Sequence, residues 1–386
     1  MKFETRAVRI QTERSQHREH STPLFATSSF VYEDVEQMQA YFSGELKGNI
    51  YSRFSNPSVK EFEDKMASLE NCERAMATAS GMAAVFASFL AFMKSGDHLI
   101  ASRAVFGSSF QVIAQTLPQY GIEFTFVDPL RPESWEKAVR PNTKMLFLET
   151  PSNPGLAIID LAWAADFCRA HQLIFNVDNC FATPYLQNPA DFGADIISHS
   201  ATKFIDGQGR VLGGVVAGKE EIVEKVFLFI RRTGASLSPF NAWVLSKSLE
   251  TLAVRMDRHC SNAFSLAQAL EDHPKILRIN YPFLPSHQQY DIAKAQMRQG
   301  GGVITFEVKG GLTAGVKFLD HLKMLSLTAN LGDSRSIASH PASTTHLRVP
   351  AEERHLIGVT DGLVRISCGL EHIDDIREDI LQALDF

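Results

Sequence analysis

Short apolar runs and longer stretches of helical periodicity alternate along most of the chain. Residues 59–71 place apolar side chains at helical spacing, and 81–93 form a second, strongly apolar helical stretch. Residues 98–102 read as a strand, 110–117 as a helix and 124–127 as a strand. A short helix at 135–139 precedes a strand at 145–148. A helix at 161–171 precedes a strand at 173–177. Residues 195–198 and 214–217 are further short apolar runs. Strands alternating with helices predict an α/β fold whose mainly parallel sheet is covered on both faces. Ligands in such sheets bind beyond the carboxyl ends of the strands.

The pattern changes at both ends. Residues 1–57 are polar, show little sustained periodicity and carry Pro23, Gly44 and Gly48. They read as an arm, either disordered or wrapped around a neighbouring subunit. A long helical stretch covers 241–270. Strand-like runs at 302–308 and 363–367 then flank a helix near 314–322, and a helix at 373–384 closes the chain. The expected organisation is an arm (1–57), a larger α/β domain (58–245) and a smaller C-terminal α/β domain (246–386).

Composition narrows the classes. Of 386 residues, 45% are hydrophobic and 21% charged, and the formal charge of −6 lacks the basic footprint of nucleic-acid binding. No apolar run approaches the ~20 residues needed to cross a bilayer, and the first residues lack the apolar core of a signal peptide. Cys72, Cys168, Cys180, Cys260 and Cys368 are scattered without CxxC spacing. Neither a metal site nor a redox pair is expected, and a reducing cytoplasm is.

Candidate chemistry centres on Ser198-His199-Ser200-Ala201-Thr202-Lys203-Phe204. If this segment leaves a strand in a tight turn, Ser200 and Thr202 hold a phosphate while Lys203 reaches an aldehyde, as pyridoxal phosphate requires. Asp178 ends another predicted strand, where its carboxylate would keep a pyridine nitrogen protonated. Gly81 opens an apolar helix whose N-terminus favours an anion. Asn153, in Glu149-Thr150-Pro151-Ser152-Asn153-Pro154, is expected to point outward from a rigid turn toward a ring hydroxyl or a carboxylate. Tyr51 and Arg53 lie two apart, so an extended segment would present both to one phosphate. Arg365 interrupts an apolar strand and needs an anionic partner, for which a substrate carboxylate is suited. Gly207, Gly209 and Gly213 lack the spacing of a dinucleotide fingerprint.

Together these stretches closely resemble the Cys/Met-metabolism family of pyridoxal-phosphate enzymes, of aspartate-aminotransferase-type fold (fold type I). The resemblance implies Lys203 as Schiff-base lysine and proton shuttle, Asp178 on the pyridine nitrogen, and Gly81, Met82, Ser200 and Thr202 around the phosphate. It implies that Tyr51 and Arg53 reach the cofactor of a neighbouring subunit, in a tetramer built as a dimer of dimers. Arg365 and Asn153 would hold the α-carboxylate, with Asn330 in the substrate site. Phe106 stands where most members stack a tyrosine on the cofactor ring; it stacks but transfers no proton. Phe106-Gly107-Ser108, the segments 206–214 and 237–243, and Asn330-Leu331-Gly332-Asp333 look most like the O-succinylhomoserine sulfhydrylase branch. That implies γ-replacement of succinate by sulfide to give homocysteine, in methionine biosynthesis. Acetyl in place of succinyl, cysteine in place of sulfide (cystathionine γ-synthase), and cystathionine or methionine lyase chemistry stay open. Arg103, Arg231, Arg232 and Arg335 are candidate readers of a distal carboxylate.

Overall fold

The computed structural model describes residues 1–347, 352, 354 and 357–385. Seven strands make the larger sheet: β1 (Arg74–Thr78), β2 (His98–Ser102), β3 (Glu123–Val127), β4 (Thr143–Glu149), β5 (Ile174–Asp178), β6 (Ile196–Ser200) and β7 (Gly214–Gly218). Their order is β1-β7-β6-β5-β4-β2-β3. From β6 to β3 every neighbour is parallel, and only β7 runs antiparallel to both of its neighbours. The central strands are almost wholly buried, as a sheet covered on both faces requires. This is the mainly parallel α/β sheet that the alternation predicts.

A second sheet, ordered β10-β11-β12-β9-β8, is formed by β8 (Ile276–Asn280), β9 (Val303–Val308), β10 (Ser326–Leu327), β11 (Ile337–Ser339) and β12 (Leu363–Ser367). It is antiparallel except for the β10–β11 pair. The predicted helical stretch 241–270 is two helices, Pro239–Leu249 and Leu252–Leu270, because Thr251 leaves helical geometry at φ −111° and ψ 6°. Position 245/246 therefore lies inside a helix. Packing passes from one core to the other within Leu252–Leu270: Leu252, Met256 and Cys260 join the larger core, while Ala263, Leu266 and Leu270 join the smaller.

The arm is less irregular than its composition suggests. It contains helices Phe3–Arg9 and Val35–Ser43, the second capped by Asp34 and ended by Gly44 at φ 82°. The predicted helix at 110–117 is three short pieces of different pitch, Gly107–Gln111, Val112–Thr116 and Leu117–Tyr120. Pro118 lacks the amide that a continuous α-helix would use there.

Candidate active site

Three neighbouring parallel strands end on the same side of the larger sheet. Glu149 closes β4, Asp178 closes β5 and Ser200 closes β6, with Glu149 and Asp178 in register. Beyond them is a cavity of about 210 Å³. Its wall includes Ser80, Gly81, Met82, Phe106, Asn153, Asp178, Ser200, Thr202, Lys203 and Arg365. The site thus sits where an α/β sheet of this kind binds ligands.

One end is built for an anion. Ser80 caps the helix Gly81–Leu90, its Oγ accepting from Ala83 N at 3.1 Å, and the first amides of the helix are left for a ligand. A Cβ on Gly81 would lie 2.5 Å from Ser200 Cβ, so only glycine lets the helix start press against the end of β6. Thr202 Oγ1 is pinned by Gly213, accepting from its amide at 3.1 Å and donating to its carbonyl at 3.3 Å.

Another part of the wall is a buried acidic pair, Asp178 and Glu149. Asp178 is 8% exposed, and its Oδ1 accepts from Cys180 N at 3.0 Å. Burial pushes its pKa up to about 6, against the Cys180 amide and His199, which pull it down. Behind it, His199 Nε2 lies 2.5 Å from Glu70 Oε1, both side chains being fully buried. Glu149 accepts from Phe106 N at 2.6 Å. Burial and then the neighbouring Asp178 raise its pKa well above the usual carboxylate range, which favours its neutral form.

Lys203 lines the same cavity. Its Nζ donates to Asn330 Oδ1 at 2.7 Å, and burial lowers its pKa. Arg365 is 4% exposed; Nη1 donates to Asn153 Oδ1 at 3.0 Å and Nη2 to Asn330 O at 3.1 Å. No ion pair joins it to a carboxylate among the described residues, and burial brings its pKa down to about 10. Asn153 is therefore turned inward onto Arg365 rather than outward from its turn. The amide and the Asn330 carbonyl orient the guanidinium and leave its charge for a ligand.

Tyr51 and Arg53 are elsewhere. The expected extended segment is a turn, closed by Phe54 N donating to Tyr51 O at 2.7 Å. Arg53 donates to Arg231 O, and its guanidinium lies 4.8 Å from the Phe54 ring centre. Neither residue lines the cavity of its own chain, and Tyr51 is 42% exposed. Arg103, Arg231, Arg232 and Arg335 do not line it either; Arg335 pairs with Asp333 at 3.1 Å. Sequence reasoning missed Glu149, Cys180 and His346 as wall residues. Glu149 had a usable signal, an acid ending a buried strand one strand away from Asp178. His346 had none in its local sequence.

An electron-withdrawing aldehyde cofactor with a phosphate and a basic ring nitrogen fits these residues. A Gly81-floored helix end suits the phosphate, a buried carboxyl the ring nitrogen, and a lysine of lowered pKa the aldehyde. Fold and site define a pyridoxal-phosphate enzyme of fold type I. The chain belongs to the Cys/Met metabolism PLP-dependent enzyme family, whose sequence profile matches residues 4–385, and its cofactor is pyridoxal 5′-phosphate. It is 45% identical over 382 residues (99% of this chain, 95% of the relative) to the O-succinylhomoserine sulfhydrylase of Pseudomonas aeruginosa. It is 42% identical over 368 residues (95% and 92%) to the L-methionine gamma-lyase of Porphyromonas gingivalis. Among solved structures it resembles a Campylobacter jejuni protein named for O-acetylhomoserine (thiol)-lyase activity. That match has a TM-score of 0.96 and 33% identity over 100% of both chains, and the structure carries N′-pyridoxyl-lysine-5′-monophosphate. No helix among the described residues is long and apolar enough to cross a membrane.

Proposed function

We propose that the protein catalyses γ-replacement, converting O-succinylhomoserine and sulfide to homocysteine and succinate in methionine biosynthesis. The observation that carries the reading is Phe106. It lines the cavity, the family resemblance sets it where most members stack a tyrosine on the ring, and no tyrosine is among the described wall residues. A phenyl ring stacks but offers no proton. A carboxylate such as succinate leaves without one, whereas a thiolate departs far better with general acid help, typically worth ~10²–10⁴-fold. The 45% identity to an O-succinylhomoserine sulfhydrylase supports the same choice.

The bound cofactor supplies an electron sink for charge developing at the substrate Cα. The residues of the chain do the rest. Arg365, held by Asn153 and Asn330, binds the α-carboxylate and fixes the substrate against Lys203. Burial lowers the pKa of Lys203 Nζ, which favours the neutral amine needed to take the proton from Cα and, once that proton has been released, the proton from Cβ. Gly81, Met82, Ser200 and Thr202 hold the phosphate, and Asp178 keeps a proton on the ring nitrogen. Tyr51 and Arg53 complete the site of a neighbouring subunit, within a tetramer assembled as a dimer of dimers. The odd count and wide spacing of the five cysteines support a reducing cytoplasm as the protein's location.

The 42% identity to a methionine gamma-lyase supports a second reading, elimination to a 2-oxo acid. The experiment compares homocysteine formed with sulfide against 2-oxobutyrate formed without it, from O-succinyl-, O-acetyl- and O-phosphohomoserine, cystathionine and methionine. Sulfide-dependent homocysteine, fastest from O-succinylhomoserine, is expected. Dominant 2-oxobutyrate from methionine or cystathionine overturns the reading. A faster reaction with O-acetylhomoserine overturns the succinyl assignment alone.

A further inference from the structure

His346 is 1% exposed and lines the active-site cavity, yet its Nε2 has no hydrogen-bond partner among the described residues. A buried polar atom without a partner is costly, and in a cavity wall that cost is removed when a ligand supplies the partner. The ring is held from its far side, with Nδ1 2.9 Å from Thr345 Oγ1. Nε2 itself is 3.8 Å from the position of a Cβ on Gly107, next to Phe106. The one free polar ring atom thus faces the neighbourhood where the phenyl ring provides none.

Burial lowers the pKa of His346 to about 4, and the Arg365 and Arg354 charges act in the same direction. The ring is neutral at pH 7. When the Thr345 hydroxyl donates to Nδ1, the proton of the neutral ring sits on Nε2, which is then a donor. Arg354 is paired with Asp361 at 2.9 Å, and Arg365 is committed to the α-carboxylate, so neither is assigned to the departing group.

We propose that His346 Nε2–H is the hydrogen-bond donor to the acyl oxygen of the O-acylhomoserine as it leaves, making His346 a catalytic residue. The inference rests on the γ-replacement reading. In the step concerned the Cγ–O bond breaks and its electron pair stays on the acyl oxygen as a carboxylate. The pair that replaces it comes from the Cβ–H bond, whose proton passes to Lys203 Nζ. His346 keeps its proton and stabilises the developing negative charge, as a fixed donor does in an oxyanion hole.

L-Vinylglycine separates this step from the others, because it already carries the β,γ-unsaturation and has no acyl group to expel. The test is homocysteine formation from O-succinylhomoserine with sulfide, beside the same reaction from L-vinylglycine, in wild type, His346→Phe and His346→Gln. His346→Phe is expected to lose on the order of 10–10²-fold in kcat with the acyl substrate, below the full loss of an oxyanion donor. It should change less than about threefold with L-vinylglycine, and His346→Gln, which keeps a donor, should recover part of the loss. Cofactor absorbance and thermal midpoint should match wild type; where His346→Phe does not fold, His346→Leu reads the same comparison. Equal losses on both substrates, or no loss on either, overturn the proposal. Wild type that makes no homocysteine from any acylhomoserine overturns the underlying reading instead, and this inference with it.

Discussion

Asp178 shows what one side chain costs in the absence of its partner. Its native pKa of about 6 lies above the ~3.9 of an unfolded chain, so the native apoprotein binds this proton more tightly than the unfolded one. The resulting stability is complete below pH ~4 and is lost as pH rises through about 6. At pH 7 the apoprotein carries a buried charge that the protonated ring nitrogen of the cofactor would offset. Asp178→Asn is therefore expected to make the apoprotein more stable at pH 7, by ~2–3 kcal/mol, with the difference vanishing near pH 4. The same variant should bind cofactor more weakly. Urea midpoints of both apoproteins between pH 4 and 7 check this, and a pH-independent difference would refute it. Asp178 and Arg365 were legible as wall residues because each is a charged residue at the end or in the middle of an apolar run, and Lys203 because Ser200 and Thr202 precede it at close spacing. The state of Glu149 was not. It depends on facing Asp178 across a strand pair, which sequence spacing does not encode. His346 became visible only through an atom left without a partner.

At the scale of elements, the start of the helix Gly81–Leu90 is tightly constrained. A methyl group on Gly81 would meet Ser200 Cα at 2.8 Å as well as its Cβ, and backbone cannot swing aside as a flexible side chain can. Gly81→Ala is expected to push the helix end off β6, weakening cofactor binding by at least ~10-fold and costing ~1–3 kcal/mol of stability. Cofactor titration of the apoprotein followed by visible absorbance measures the first, and denaturant unfolding the second. Wild-type affinity would mean that the phosphate is held elsewhere. Strands with strong apolar runs, such as β2 and β12, could be read directly. β1 could not: Arg74-Ala75-Met76-Ala77-Thr78 has little β-branched character and is made a strand by pairing with β7. The helix Glu220–Thr233 was overlooked although its signals were present. Val223, Val226 and Ile230 face the core, acids open it, and Gly234 ends it at φ 85°.

At the scale of the whole molecule, the arm bears on the proposed assembly. Val31 is 99% exposed, and the helix Val35–Ser43 has no buried residue, so this segment contributes little to its own chain's core. With Tyr51 and Arg53 outside the cavity, the proposed shared site has a direct test. Inactive Arg53→Ala and Lys203→Ala proteins, mixed in equal amounts and allowed to exchange subunits, should recover about a quarter of wild-type activity. Half of randomly assorted dimers are mixed, and each mixed dimer has one intact site of its two. No recovery with subunit exchange demonstrated would show that each chain builds its own site.

The helix Leu252–Leu270 gives the two sheets a shared fate. Its first half is part of one core and its second half part of the other. Fraying of the smaller sheet would strip packing from the same rod that supports the larger one. A domain joined by a loose tether melts on its own; one joined through a common helix loses stability together with its neighbour. The monomeric unit is accordingly expected to denature in a single cooperative step, with calorimetric and van't Hoff enthalpies in agreement. Two resolved transitions would mean that the helix divides its allegiance without transmitting it.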